Sequence, residues 1–364
     1  MENTGFDFVD RTSMHAFYDK LYTTRGRRPP LKALMLLTDL KVEDLPSILS
    51  RRRKLSRVYN ANVSALEEGL YRVSLQRTLG LRDVREEVII DAGCEDAWIV
   101  LTNAGSYFVT HVLERFFEKL YPMVSRLYFN YSQLRTLLQK IREAYLGKAT
   151  PTFFTIKRWR SRPATQRVFP VKKGTEILWD EDVDEEIQRL LSEDFTVIVD
   201  KLDFEVREEN NAVLLQAHIT RKGLCKLKFG GFSAFYGNVV LKAIEFGIGC
   251  KDFYDKRERS VEKGIVKLHP LQIRYPLSFS SEQLNHFAKK IPNAYSSSII
   301  HGGNPYFVAN LCDYEDGSSF GITALGNVIT VTPVTRATPQ AVWRLLNKIQ
   351  EILGDGEISD VQMR

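Results

Sequence analysis

The sequence predicts an α+β fold, because segments with helical periodicity alternate with short β-branched runs that are bounded by turn residues. At 364 residues the chain is long for one hydrophobic core, and its 44% hydrophobic and 26% charged residues are typical of a globular protein. We expect a domain with an N-terminal extension over residues 1–122, a helix and basic connector over 123–175, and an α+β domain over 176–364. The last domain could divide near 251–275, and it should hold an antiparallel sheet with packed helices.

The N-terminal part is predicted to contain a helix, a hairpin and a second helix. A helical run over 62–79 follows a basic cluster at residues 51–57. β-Branched residues then predict strands at 84–91 and 97–102, with Gly93 supplying the positive φ of a tight connection. Asn103 is expected to cap the next helix, whose apolar residues recur at spacings near three and four.

The second strand of this hairpin runs Trp98-Ile-Val-Leu101-Thr102-Asn-Ala-Gly105, which ends in Leu-Thr and passes through Gly into an apolar helix. In this feature residues 31–121 resemble the winged helix-turn-helix family of DNA-binding domains. The resemblance implies an N-terminal winged-helix-like domain whose first two helices are Leu31–Thr38 and Val42–Leu49. It also implies that a helix within Asn62–Leu79 reads the major groove, while the hairpin forms the wing.

Charge is distributed unevenly in this part of the chain. The hairpin turn carries Asp91, Glu95 and Asp96, and an acidic wing would be repelled by phosphates, so the wing could serve dimerisation instead. Between Arg25 and Arg57, ten basic residues face three acidic ones. The nucleic-acid contacts expected here are Arg27, Arg28, Arg51, Arg52, Arg53, Arg57, Asn62, Ser64, Arg72 and Arg77. The alternative is a plain α+β domain without this role.

The connector from Lys148 to Thr175 holds eight basic residues and no acidic one, and aromatic residues lie between the cations. Such a pattern can hold phosphates and stack bases. Alternatively, the cations pair with the acidic residues that follow from Asp180 to Glu186. The nucleic-acid contacts expected in the connector are Lys157, Arg158, Trp159, Arg160 and Arg162.

A helix is predicted from Ser132 to Gly147, with an apolar stripe made by Leu134, Leu137, Leu138 and Ile141. This stripe could form a homodimer contact or pack within the monomer. Further along, a helix is predicted at 182–191, strands at 195–199, 202–207, 212–220 and 224–229, and either a helix or a buried strand at 235–246.

The C-terminal end gives clearer signals. Ser280 and Gln283 form a capping box for a helix. Strands are expected at 306–312, 319–325 and 328–333, and Thr338-Pro339 should cap and start a final helix. A sheet covered by a helix could bind a ligand, a protein partner or a second copy of the chain.

Motifs that would indicate catalysis are weak. The six histidines are scattered, and the sequence contains no H-E-x-x-H, G-x-S-x-G or phosphate-binding G-x-x-x-x-G-K-[ST] motif. Asp200, Asp203 and Glu205 lie along one predicted strand region and could hold a divalent cation for phosphodiester cleavage. The four cysteines are far apart, which favours reduced thiols and no metal site.

We therefore predict a cytoplasmic nucleic-acid-binding protein without a cofactor, and in particular a winged-helix DNA-binding regulator, with DNA as the partner. The alternatives are a metal-dependent nuclease that uses the acidic cluster and a non-catalytic interaction scaffold. The acidic N-terminus and the lack of a run of about eighteen apolar residues argue against a signal peptide and a membrane span.

Overall fold

The computed structural model describes residues 8–24, 29–79, 82–121, 123–146, 149–158, 175–178, 197–208, 210–255, 260–262, 265–302 and 306–361. It confirms an α+β fold with antiparallel sheets. The chain forms two compact units: unit 1 comprises Met1–Thr152 and Lys201–Ile248, and unit 2 comprises Phe153–Asp200 and Gly249–Arg364. Unit 1 thus includes residues 201–248, which the sequence grouped with the C-terminal domain.

The elements up to residue 146 alternate between strands and short helices. The helices are α1 (Arg11–Thr23), α2 (Leu45–Arg51), α3 (Arg53–Ser56), α4 (Ser106–Phe108), α5 (Glu114–Leu120) and α6 (Tyr131–Ala144); a 3₁₀ turn, Val42–Asp44, precedes α2, and a π-helical turn, Val109–Leu113, joins α4 to α5. The strands are β1 (Leu31–Thr38), β2 (Tyr59–Glu67), β3 (Leu70–Leu79), β4 (Arg82–Asp91), β5 (Ala97–Thr102) and β6 (Val124–Arg126).

Further strands and helices follow up to residue 255. The strands are β7 (Ala149–Arg158), β8 (Thr175–Leu178), β9 (Val197–Arg207), β10 (Val213–Thr220) and β11 (Leu224–Gly230). The helices are α7 (Phe232–Phe235) and α8 (Leu241–Asp255), joined by a π-helical turn, Tyr236–Val240. β7 and β8 pair antiparallel through residues 153–156 and 175–178.

Unit 1 is built on an antiparallel sheet in which β2-β3-β4-β5-β1-β11-β10-β9 follow one another, with β6 also paired to β1. The chain from Ser106 to Leu120 packs against one face of this sheet through Phe108, Val112 and Phe116. The sheet residues in the same core include Leu34, Leu36, Val88, Ile90, Trp98 and Val100. This apolar sheet face, covered by helices, therefore forms one hydrophobic core of unit 1.

Two helices implied by the winged-helix resemblance are wrong. Leu31–Thr38 is a strand whose eight residues are all buried, and it pairs with β5 and β11. A strand covered on both faces is apolar throughout, so its sequence lacks the alternation that would have distinguished it from a buried helix. The predicted recognition helix within Asn62–Leu79 is the β2–β3 hairpin, in which Gly69 takes a φ of 72° at the turn.

Other predictions for this region are confirmed with small changes. The helix predicted at 42–49 is present as a 3₁₀ turn and α2. β4 and β5 form the predicted hairpin, with Ile90 opposite Val100. The positive φ in their connection belongs to Asp96, at 62°, rather than to Gly93, and the following helix is N-capped by Gly105 rather than Asn103.

The second half of unit 1 also departs from the predicted boundaries. The strands expected at 195–199 and 202–207 are one strand, β9, within the described residues. The segment 235–246, which the sequence predicted as either a helix or a buried strand, is helical. The helix predicted at 182–191 lies outside the described residues.

The apolar stripe of α6 is buried within the monomer. Its residues Leu134, Leu137 and Ile141 are fully inaccessible to solvent, which supports core packing over a dimer contact.

Unit 2 confirms the predicted C-terminal sheet. Its sheet runs β15-β16-β17-β18-β14-β19 with antiparallel pairing. The elements are β12 (Ser260–Glu262), β13 (Ile265–Lys267), β14 (Leu271–Arg274), α9 (Ser281–Lys290), a 3₁₀ turn (Ile291–Asn293), β15 (Tyr295–Gly302), β16 (Tyr306–Asp313), β17 (Ser319–Leu325), β18 (Val328–Thr335), α10 (Pro339–Leu353) and β19 (Glu357–Asp360). The Ser280–Gln283 capping box and the Thr338 cap are both present.

A buried carboxylate ties the start of the chain to the sheet of unit 1. Asp91 is 4% exposed and accepts hydrogen bonds from Arg11 Nη2 at 2.9 Å, Tyr236 Oη at 2.6 Å and the Gly93 amide at 2.8 Å. A Cβ atom on Gly93 would lie 2.8 Å from Arg11 Nη2 and 3.0 Å from Asp91 Oδ1, so a larger residue here would displace the Arg11 side chain from Asp91. Arg11 therefore neutralises part of the negative charge of the acidic hairpin turn.

We expect Asp91→Ala to lower the free energy of unfolding by about 2–4 kcal/mol, because it leaves the buried Tyr236 hydroxyl without its acceptor and removes one of the two carboxylates paired with Arg11. Urea unfolding measures this change. Glu95→Ala is the matched control, since Glu95 is an exposed carboxylate of the same turn, and it should change stability by less than about 0.5 kcal/mol. Equal effects of the two substitutions would contradict this account.

Candidate nucleic-acid interface

A cavity of about 830 Å³ opens at one side of unit 1 and is bounded by α3, the β2–β3 hairpin and α5. We call it the basic pocket. It is lined by Arg52, Arg53, Lys54, Leu55, Val58, Tyr59, Arg77, Arg115, Glu118 and Lys119. Six of these residues are cationic and one is acidic, so the lining carries a formal excess of five positive charges.

Local structure places these cations around a common centre. Leu55 is 7% exposed and anchors the short helix α3, which positions Arg53 and Lys54 at the surface. Arg77 lies directly opposite Tyr59 in the β2–β3 hairpin. α5 contributes Arg115 and Lys119, which are four residues apart and thus lie on the same side of the helix.

Two arginines of the basic pocket are held by the protein itself. Arg52 Nη1 donates to the carbonyl oxygen of Lys119 at 2.7 Å, which joins the α2–α3 junction to the last turn of α5. Arg77 Nη1 donates to the carbonyl oxygen of His111, and its Cζ lies 5.3 Å from the Tyr59 ring centroid. Arg77 Nε is buried and forms no hydrogen bond with a described residue. These guanidinium groups are therefore pre-positioned.

Tyr59 forms part of the pocket wall and packs against the core. It is 6% exposed, and its ring centroid is 5.4 Å from that of Phe116. Burial raises the pKa of the Tyr59 hydroxyl, and the charges of Arg77 and Arg115 oppose this rise. The phenol is therefore neutral near pH 7 and can act as a hydrogen-bond donor.

The structure brings together only part of the predicted contact set. Arg52, Arg53 and Arg77 line the basic pocket, whereas Arg51 and Arg57 are exposed on the neighbouring segment and do not line it. Because side chains alternate along a strand, those of β2 and β3 that lie away from Tyr59 and Arg77 face the other side of the hairpin. The residues on that side are Asn62, Ser64 and Arg72.

The remaining predicted contacts belong to the basic turn at 25–28 and to the connector. Arg27 and Arg28 lie outside the described residues, as do the connector residues Trp159, Arg160 and Arg162. Lys157 and Arg158 belong to β7, for which the structure describes the strand. Their role therefore stays a prediction.

Sequence reasoning missed Tyr59, Arg115 and Lys119 as members of a site. The Arg115–Lys119 spacing of four residues was a usable signal, because it places two cations on the polar side of an amphipathic helix. The sequence analysis used only the apolar residues of that helix and not its charged ones. The Tyr59–Arg77 pair depends on the register of a hairpin that was predicted as a helix.

The acidic residues proposed for a nuclease do not converge. Asp203 and Glu205 share one face of β9, whereas alternation along the strand places Asp200 on the other face. Asp203 forms ion pairs with Lys201 Nζ at 2.7 Å and Lys228 Nζ at 2.8 Å. Among the described residues, no group of three His, Cys, Asp or Glu side chains is arranged to hold a metal ion.

Asp203 is instead a buried anion held by cations. Burial would raise the pKa of its carboxyl group, but hydrogen bonds from His218, Lys201 and Lys228 together hold that pKa well below its usual range. The neighbouring Glu205 accepts from Arg207 Nη2 at 2.6 Å and from Gln216 Nε2 at 3.0 Å. Both carboxylates are thus already paired within the sheet.

Family models and curated proteins provide no further guide to this interface. No family model matches the chain, and no curated protein shows detectable similarity to it. Within the described ranges, no helix is both long and apolar enough to cross a membrane. Membership of the winged helix-turn-helix family stays a prediction.

We expect Asp203→Asn to lower the free energy of unfolding at pH 7 by about 2 kcal/mol, because it removes a buried carboxylate that forms ion pairs with Lys201 and Lys228. The folded-state pKa of Asp203 is depressed, so its contribution is present above the ordinary carboxyl pKa of about 4 and is lost as the pH falls further. Urea unfolding of both proteins at pH 7, 5 and 3 tests this.

The difference in stability should be similar at pH 7 and 5 and smaller at pH 3. Glu245→Gln is the control, since its side chain is 58% exposed in an ion pair with Lys242, and we expect a change below about 0.5 kcal/mol. A difference for Asp203→Asn that grows toward acid pH would contradict the paired carboxylate.

Proposed function

We propose that this protein binds nucleic acid and holds its phosphate groups in the basic pocket. The observation that carries this proposal is the set of six cations around one concavity with a single acidic residue in its lining. Lysine and arginine side chains neutralise phosphates and release their counterions, which drives binding that is largely independent of sequence.

The residue types favour phosphate over other anions. Four of the six cations are arginines, whose planar guanidinium groups can donate two parallel hydrogen bonds to one phosphate. Arg52 and Arg77 are already fixed by hydrogen bonds to main-chain carbonyls, so less side-chain entropy is lost on binding. At about 830 Å³ the pocket is larger than one phosphate group needs, which suits a chain of nucleotides.

The shape of the site favours a ligand with unpaired nucleotides over an intact double helix. Reading a major groove requires a projecting helix or ribbon, whereas the cations here surround a hollow. Leu55, Val58 and Tyr59 add an apolar and aromatic wall, against which a base could pack. We therefore propose single-stranded nucleic acid or a frayed duplex end as the preferred ligand, with the basic connector as a further contact.

Binding of fluorescently labelled single-stranded DNA, duplex DNA and RNA across a salt series tests the proposed function. We expect the logarithm of affinity to fall linearly with the logarithm of salt concentration, because several phosphates are neutralised. One set of reactions with magnesium and one without will also reveal any cleavage. Absence of binding to all three ligands at low salt would overturn the proposal.

The double variant Arg53→Gln/Arg115→Gln locates the binding site. Both side chains are exposed, so their loss should leave the fold intact, weaken binding by roughly tenfold or more and reduce the salt slope by about two. Lys289→Gln/Lys290→Gln removes the same charge from exposed positions of unit 2 and should change affinity by less than about twofold. Equal weakening by both variants would assign binding to net charge and not to the pocket.

A further inference from the structure

The sheet of unit 2 has two faces with different surroundings. Along β16, β17 and β18, buried residues alternate with more exposed ones. The buried residues point to the helices, and the ring centroid of Phe307 lies 5.4 Å from that of Phe287 in α9. Because side chains alternate along a strand, the other residues point to the opposite face, which we call the open face.

The register of the strands shows which residues share the open face, since directly opposed residues of an antiparallel pair point to the same side. Thr323 of β17 lies opposite Val308 of β16 and Thr330 of β18. One row thus crosses all six strands through His301, Val308, Thr323, Thr330, Gln272 and Ser359. Each of these side chains is exposed or half-buried.

The open face carries little charge. Among its described residues, the only Lys, Arg, Asp or Glu side chains are Arg274 and Glu357, which lie opposite each other at the β19 edge. Apolar side chains are present instead, and Tyr306 and Leu325 are 44% and 57% exposed. A face that binds nucleic acid would need cations, so the open face fits an uncharged partner surface better.

Gly321 lies within the open face between Asn310 and Thr332. Its φ is outside the left-handed region, and a Cβ atom here would lie 3.8 Å from Thr332 Cβ, which is an ordinary contact. Neither the backbone nor the packing of the described residues therefore explains the glycine. Glycine weakens the interior of a strand and often marks a place where another backbone approaches closely.

The two edges of this sheet are less suited to a partner than its open face. The register of β15 shifts between Ile299 and His301, and β19 has four residues, of which Glu357 and Asp360 are acidic. Irregular strands, short strands and charged side chains are features that prevent pairing at a sheet edge. We therefore expect a partner on the face of the sheet.

We propose that the open face binds the open face of a second copy of the chain, which gives a dimer with twofold symmetry. In such an interface both copies present the same surface, so a charge near the axis would lie close to its like. The open face meets this condition, because its two charged residues have opposite signs and lie at one edge.

The size of the open face is sufficient for a weak dimer. Strands lie about 4.8 Å apart and side chains on one face about 6.8 Å apart, so six strands and four rows cover roughly 25 Å by 22 Å. Two copies would bury about 1,100 Å² in total, which is near the lower end for specific interfaces. The whole surface belongs to unit 2, and the inference therefore does not rest on the proposed function.

Sedimentation velocity of the full chain without nucleic acid tests the dimer. Over protein concentrations from about 1 to 200 µM we expect a reversible change from the monomer mass towards twice that mass. The change should be similar in about 0.1 and 0.5 M sodium chloride, because the interface contains few charges to be screened. A monomer at every concentration would overturn the proposal and would assign the open face to a segment of the same chain or to a different partner.

Substitutions on the open face make the test specific. Thr323→Arg and Leu325→Arg each add a cation at an exposed position of β17 and should raise the dissociation constant of the dimer by about tenfold or more, because like charges meet. Asn285→Arg adds the same charge at an exposed position of α9 and should dimerise as the unchanged protein does. The Arg53→Gln/Arg115→Gln variant should also dimerise normally. Circular dichroism checks that each variant is folded.

A mixture of Thr323→Arg and Thr323→Glu should recover dimers that neither variant forms alone, because opposite charges then face each other. The proposal is overturned if both arginine variants of β17 dimerise as readily as the unchanged protein, if Asn285→Arg weakens the dimer equally, or if the mixture of two folded variants recovers no dimer.

Discussion

The packing of residues 106–120 against the sheet of unit 1 is the interaction on which the basic pocket depends. Phe108, Val112 and Phe116 enter the apolar core of the sheet, which fixes the rotation of this helical segment. The rotation then determines where its charged residues lie. Arg115 and Lys119 line the basic pocket, while Glu114 lies beside Lys226. Burial of one helical face thus sets the positions of the cations on the opposite face.

Two buried carboxylates in unit 1, Asp91 and Asp203, are each paired with several donors of the fold. Asp91 is buried, and Arg11, Tyr236 and the Gly93 amide supply it with donors. Such a satisfied network stabilises the fold and leaves little capacity for a ligand. Asp203 is held in a similar way, because the ammonium groups of Lys201 and Lys228 form ion pairs with its carboxylate.

The sequence predicted correctly those parts of the fold that depend on residues close together in the chain. The Ser280–Gln283 capping box, the Thr338 cap and the β4–β5 hairpin are present because side chains close in sequence specify them. β1 was predicted as a helix from the winged-helix resemblance, and a strand buried on both faces lacks the alternation that would have indicated a strand. The sites depend on long-range register: Tyr59 meets Arg77, and Thr323 meets both Val308 and Thr330, only after the strands pair. The sequence therefore predicted the cations around Arg52 as part of a site, but it did not predict the cations of α5 that line the same pocket.

Photocrosslinking tests most directly whether the basic pocket holds nucleic acid. A single-stranded oligonucleotide that carries a photoactivatable thymidine analogue would be irradiated with the full chain, and crosslinked peptides would be identified by mass spectrometry. The account predicts crosslinks within residues 52–59 and 115–119, which contribute most of the residues that line the pocket. Crosslinks confined to residues 265–361 of unit 2 would contradict it and would move the nucleic-acid interface to the C-terminal sheet.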